Sequence, residues 1–314
     1  PLPTTVLGPG LRRAIGHDFA KTAEHTPWDA APVPGPAVRD CIVHAAVFRR
    51  TGSLLATGKR GVAVHALPDG ALRCTLALEP AADAHHAACD PRGEQFAVLG
   101  GGHLHLHEGD SGAPRWTRPL EVRDRGACFT DDGRAVLVFG RGGVALHDAR
   151  TGEARWVRAT PTLGAAALGG ALHVVTEART LERWSLDDGA TLDAWQAPEV
   201  SRGALLVAGP GWLCARRAKF HAPLSYLTVE VRFAHGSDGA VVVVIDASGF
   251  QAELWRDRCV VVIDTGTNQG RADLSDDASR LLLTTDRTAL STDLYDVEAL
   301  CAYAEAVTSH CASS

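Results

Sequence analysis

Histidine is the side chain best suited to ligate a metal or carry a proton near neutral pH. This chain has 14 of them in 314 residues. His103, His105 and His107 alternate, which in an extended segment puts all three on one face. Such a row could seed a metal site, but neighbours on one strand face rarely converge on a single ion. A second regularity is stronger. His65, His107 and His147 close the short segments Val62-Ala63-Val64-His65, Leu104-His105-Leu106-His107 and Val144-Ala145-Leu146-His147, and His221 closes Ala218-Lys219-Phe220-His221. Trp184 ends Leu181-Glu182-Arg183-Trp184 at the same station. A ring that recurs at one station of a repeat is expected to fill space between neighbouring units, so no metal is assigned to it. His85-His86 precede a strand and could reach the mouth of a central channel.

Other chemistry finds less support. The eight cysteines are Cys41, Cys74, Cys89, Cys128, Cys214, Cys259, Cys301 and Cys311, and no two are spaced C-x-x-C, the pattern of zinc and redox motifs. Cys89, Cys128 and Cys214 lie within apolar runs and are expected to be free buried thiols in a reducing cytoplasm. No G-x-S-x-G nucleophile elbow occurs, and Ser248-Gly249 and Ser275-Asp276 read as hairpin turns. Gly100-Gly101-Gly102 has the glycine of a phosphate loop without its lysine or its helix, and reads as a turn between strands. No catalytic residue, cofactor or metal is therefore assigned. Trp116, Trp156 and Trp195 could form an aromatic partner face, but their regular placement favours docking onto a neighbouring unit.

The elements that position these residues come from an internal repeat. A polar, Gly-bearing turn leads into an apolar strand at Arg50-Thr51-Gly52-Ser53-Leu54-Leu55, Pro91-Arg92-Gly93-Glu94-Gln95-Phe96 and Asp131-Asp132-Gly133-Arg134-Ala135-Val136. Looser copies begin at Leu168, Gly209, Ala247 and Asp276. Each is followed by a segment ending in a bulky residue, at 65, 107, 147, 184, 221, 263 and 295. A third phrase is Asp148-Ala149-Arg150-Thr151-Gly152-Glu153-Ala154-Arg155-Trp156, matched by Glu108 to Trp116 and loosely by Asp187-Asp188-Gly189 before Trp195. The first copy, Pro68-Asp69-Gly70-Ala71-Leu72-Arg73, has lost its tryptophan. A unit of about 40 residues with four short strands predicts a blade that buries both faces only by stacking on its neighbours. The expected fold is all-β: a seven-bladed β-propeller of four-stranded antiparallel blades over residues 38–314, after an N-terminal extension, 1–37.

These phrases resemble degenerate WD-repeat blades, and the D-x-x-T-G-x-x-x-W phrase is similar to the tryptophan-docking motif of quinoprotein-like β-propellers. The resemblance covers residues 38 to 304. It does not extend to quinone chemistry: the adjacent cysteines and calcium site of quinoprotein dehydrogenases have no counterpart. The Gly-His pair that opens many WD repeats is also absent, and Trp184 is followed by Ser185 instead of Asp.

Composition narrows the classes further. Charged residues make up 22% of the chain and the net charge is −6, which disfavours both disorder and a nucleic-acid-binding surface. The longest apolar run, Ala240 to Ile245, is too short to cross a bilayer. The opening residues show no secretory leader, and Pro1 suits a start that has lost its methionine, so a cytoplasmic location is expected. The three lysines, Lys21, Lys59 and Lys219, among 31 basic residues suggest a GC-rich bacterial genome. Within the extension, Leu11, Ile15 and Phe19 predict a short helix, which Gly16 weakens, ahead of a Pro-rich lead through Pro27, Pro32, Pro34 and Pro36. Leu11, Ile15, Phe19 and Trp28 are the candidate partner contacts, with packing of the stripe on the propeller rim as the competing reading. The expected function is a non-catalytic interaction scaffold for one or more proteins in a bacterial assembly. The alternatives are a hydrolase or lyase at the channel mouth and a small-ligand sensor.

Overall fold

The computed structural model describes residues 84–109, 111–120 and 126–197 and, elsewhere, the strands named below with some adjoining turns. The chain divides into two compact units: Pro1–Thr176 with Glu182–Ala194, and Glu177–Leu181 with Trp195–Ser314.

Four-stranded antiparallel sheets built from consecutive strands make up the first unit. The first sheet takes Thr4–Leu7, Ala14–Asp18, Lys21–His25 and Pro32–Pro34. The second takes Ile42–Phe48, Ser53–Gly58, Gly61–Ala66 and Leu72–Leu76. The third takes Ala84–Cys89, Gln95–Gly100, His103–Glu108 and Pro114–Pro119. The fourth takes Gly126–Phe129, Ala135–Gly140, Gly143–Asp148 and Ala154–Arg158. The division between the units runs through the fifth, whose strands are Thr162–Leu168, Ala171–Thr176, Thr180–Trp184 and Thr191–Gln196.

Burial on both faces explains why the middle strands are almost continuously apolar. In the third sheet Phe96 and Val98 join a core with Val62, Val64 and Leu76 of the second. Ala97, Leu99, Leu104 and Leu106 face the other way, onto Phe129, Val136, Val138 and Ala145 of the fourth. The fourth then turns Leu137, Val144 and Leu146 onto Leu172, Val174 and Trp184 of the fifth. Leu99, Leu104, Leu106, Leu137 and Leu146 are fully buried, each contributing about 2 kcal/mol.

The backbone repeats as the sequence does. A bulge falls between the third and fourth strands just before His65, His107 and His147. Turns spanning Glu108 to Ala113, Asp148 to Glu153 and Ser185 to Ala190 close with the same pair of hydrogen bonds.

Two expectations need correction. The helix predicted on Leu11, Ile15 and Phe19 is not formed, because Ala14–Asp18 is a strand. Gly16 disfavours a helix, and pairing with Thr4–Leu7 and Lys21–His25 satisfies the backbone instead. Among the described residues of the second unit, four consecutive antiparallel strands form once, over residues 229–264, and not as a separate sheet. There the hairpin of Ala204–Gly209 and Trp212–Arg217 lies parallel to Cys259–Asp264, making a six-stranded sheet with Gln251–Arg256, Val241–Ala247 and Val229–His235. The two copies expected there thus share one sheet: the free edge of Cys259–Asp264 takes up the hairpin's unpaired backbone groups. The last sheet has three strands among the described residues, Arg271–Leu274, Arg280–Thr285 and Ser291–Asp296. Val297 and Glu298 after it are helical, and the outer strand suggested for Leu300 to Ala306 lies outside the described residues.

Gly152 and Gly170 offer a test of how the sheets dock. Both have positive φ, +75° and +77°. A Cβ on Gly152 would come within 2.7 Å of the Trp116 ring, whereas one on Gly170 meets nothing within 4 Å. Gly170→Ala should cost only backbone strain, about 1 kcal/mol, and Gly152→Ala clearly more. Equal losses in urea unfolding would show that Trp116 is not seated on this turn.

Candidate functional site

The described histidines at the repeat station are packing groups. His65, His107 and His147 are all buried at matching stations, opposite Leu54, Phe96 and Val136 in register. His107 Nδ1 lies 3.2 Å from the Gly112 carbonyl, and His147 Nδ1 lies 3.2 Å from that of Gly152. A carbonyl only accepts, so Nδ1 carries the proton in both rings. Each histidine thereby ties its strand to the glycine of the following turn. Trp184, fully buried, fills the corresponding place in the fifth sheet. His221 lies outside the described residues. His103, His105 and His107 form a ladder with ring centroids 6.0 and 6.4 Å apart. His105 Nδ1 lies 3.0 Å from Thr117 Oγ1, and Nε2 of both His105 and His107 is buried without a hydrogen-bond partner. Burial lowers the pKa of His107 and takes that of His105 down to about 4, so both rings are neutral at pH 7. Among the described residues no cluster of three or more metal-ligating side chains gathers. His86 Nε2 sits 3.0 Å from the Ala127 carbonyl and links the first strands of the third and fourth sheets.

The tryptophans are the anchors between sheets. Trp116 donates its Nε1–H to the Ala149 carbonyl at 3.0 Å, and its ring lies over Gly152. Trp156 repeats this one sheet further on, donating to the Leu186 carbonyl at 2.9 Å and lying over Gly189. Arginines two residues later reinforce both seams: Arg118 donates to the Thr151 carbonyl and Arg158 to that of Gly189, each at 2.9 Å. In the second sheet Cys74 holds the tryptophan station, paired with Val64 as Trp116 is with Leu106, and Sγ and Leu76 stand over Gly112. Sequence reading missed a related device, Glu-x-Trp. Glu182 accepts the indole N–H of Trp184 while Arg158 stacks 3.9 Å from the ring centroid. Within the second unit, Glu253 accepts the Trp255 N–H, pairs both its oxygens with Arg179 at 2.7 Å, and Trp195 meets Trp255 edge-on.

With these histidines and tryptophans committed to packing, the turns offer further chemistry. A cleft of about 390 Å³ opens between turns of the third and fourth sheets, lined by Asp90, Glu94, Asp132 and Asp148 and by Arg92, Arg115, Arg134, Arg150 and Arg155. Backbone bonds tie each turn to its sister, Gly109 N–H to the Glu94 carbonyl and Ala149 N–H to the Arg134 carbonyl. Asp148 accepts from the backbone of Arg150 and Thr151 and pairs with Arg155 at 2.9 Å, an arginine contact that lowers its pKa. Asp132 accepts from the Thr130 hydroxyl, which lowers its pKa too, and Asp90 accepts from the Gln95 N–H. Asp90, Asp132 and Asp148 thus hold their own turns.

Of the candidate partner contacts, Leu11, Phe19 and Trp28 lie outside the described residues, and Ile15 stands in a strand between Val6 and Glu24. Ala88 and Ala127 are buried in the core between the third and fourth sheets.

Comparison with known proteins agrees with this arrangement. Residues 58–182 match the family model described as outer membrane protein assembly factor BamB. The crystal structure of BamB from Moraxella catarrhalis aligns over 93% of this chain and 96% of that one, at 14% identity and a TM-score of 0.58. The Pan2 WD40 domain of Neurospora crassa aligns over 90% of this chain and 85% of that one, at 12% identity and a TM-score of 0.62. The chain resembles the β-propeller superfamily. Its WD-repeat and quinoprotein-like forms are both represented among these matches. No curated protein sequence matches the chain. Among the described residues no helix is long and apolar enough to cross a membrane.

Two measurements check the site chemistry. Because the pKa of buried His105 lies below that of the unfolded side chain, the unfolded state takes up the proton first. Stability is full above about pH 6.5 and falls as the pH drops towards 4, by on the order of 3 kcal/mol for this group. His105→Gln should narrow the gap between urea midpoints at about pH 7 and pH 5; an unchanged gap would place the acid sensitivity elsewhere. Glu253→Ala, which leaves Arg179 uncompensated, should cost about 3 kcal/mol or more in the same assay.

Proposed function

We propose that this protein is a non-catalytic protein-interaction scaffold, a subunit of a bacterial multi-protein assembly. One observation carries the reading: among the described residues, the histidines, tryptophans and most acidic side chains at the repeat stations hold the sheets and turns together. His107 and His147 bind turn carbonyls, Trp116 and Trp156 cross the seams, and Asp132 and Asp148 hold turns. What is left for function is a set of stiff turns presenting charged side chains, which suits recognition of another surface. The similarity to a factor described as acting in assembly, and to a WD40 domain, supports the same reading. The compartment is part of the proposal. The cytoplasm is favoured by half-buried free thiols at Cys89 and Cys128, whose pKa values desolvation pushes up to about 12 and about 11.

Purification from the native host under mild conditions tests this directly. The expected result is recovery in fixed proportion with at least one other polypeptide, reproduced when that polypeptide carries the tag. A protein that elutes alone and turns over a substrate would overturn the scaffold. Fractionation of the same cells should place it in the soluble cytoplasm; recovery with the envelope would overturn that location.

A further inference from the structure

Comparing the sister turns separates side chains that build the repeat from those that depart from it. Arg115 with Glu108 and Arg155 with Asp148 occupy matching stations and brace matching turns, at 3.6 and 2.9 Å. Arg150 departs: the same station holds Asp110 in the preceding repeat and Asp187 in the following one. Arg92 departs as well, standing where the next repeat has Asp132, whose carboxylate accepts from the Arg134 N–H and the Thr130 hydroxyl. A guanidinium has no acceptor and cannot take over that bond. Neither substitution serves its turn, and the guanidinium groups of Arg92 and Arg150 have no hydrogen bond or ion pair among the described residues. Both line the cleft between the third and fourth sheets. Arg134, 3.9 Å from Asp132 and largely exposed, adds a third weakly held cation. Glu94 is the one carboxylate of the lining without a partner, while Asp90, Asp132 and Asp148 are held by their own turns. The corresponding hairpin of the fifth sheet turns through Gly169 and Gly170, so this gathering of arginine belongs to one seam and is not a property of the repeat.

We propose that this cleft binds an acidic peptide segment of a partner protein, with Arg92 and Arg150 as its carboxylate contacts. The inference rests on the scaffold reading and names the chemistry of the partner. Forked guanidinium donors match carboxylates in pairs. A chain carrying net charge −6 repels acidic partners elsewhere, so the cleft also selects where such a segment lands.

The test is fluorescence anisotropy with a labelled oligoglutamate peptide on the full chain. Saturable binding that weakens with added salt is expected. Arg92→Asp and Arg150→Asp install residues that the sister repeats already carry, so folding should survive and circular dichroism checks it. Together they should lower affinity about tenfold or more. Glu94→Gln should tighten binding, and Arg183→Glu, on an exposed strand position away from the cleft, should leave it unchanged. Absence of binding by the unaltered protein, or an equal loss in Arg183→Glu, would overturn the proposal. So would capture of an otherwise neutral phosphopeptide in place of oligoglutamate, which would assign the arginines to phosphate. Retention of the native co-eluting partner by the Arg92→Asp/Arg150→Asp variant would remove the cleft's role and leave the scaffold standing.

Discussion

The seam between one sheet and the next is the constraint on which the rest depends. A four-stranded sheet with two apolar faces is not stable alone, so each must find its neighbour at a defined register and tilt. Apolar burial supplies the attraction without direction. Direction comes from an indole that lies flat on a glycine of the adjoining turn and gives its N–H to a carbonyl there, as Trp116 and Trp156 do. The glycine is required twice over, for its positive φ and because a side chain would occupy the ring's place. The histidine behind it holds the same glycine's carbonyl from within the sheet, so one turn is gripped from two sides.

This explains which parts of the molecule could be read from sequence. His107 and His147, and Trp116 and Trp156, sit at fixed intervals because the seam recurs, and recurrence alone marked them as packing residues. Glu-x-Trp escaped notice because Glu182 and Glu253 look like ordinary strand carboxylates until an arginine distant in sequence closes on them. Arg179 reaches Glu253 across 74 positions, a pairing with no local signature. The segment at Ala14–Asp18 misled because three apolar residues at helical spacing said nothing of the strands waiting on either side.

The cleft was legible only in part. Arg92 and Arg150 were visible as members of repeat phrases, but that they depart from the repeat matters only once the two turns are seen to share a wall. Each turn taken alone is nearly neutral, Arg92 with Glu94 and Asp132 with Arg134. The asymmetry is created by packing, when Asp132 is drawn into its own backbone and Arg92 is not.

Cys74 gives the joint between the second and third sheets a different character. Where the next two joints are fastened by a broad ring and a polar tether, here Cys74 Sγ and Leu76 stand over the glycine, beside the core that Val62, Val64, Phe96 and Val98 share. A thiol and an aliphatic branch hold the turn by contact and without a directional tether, so the fit of the apolar surfaces sets this joint.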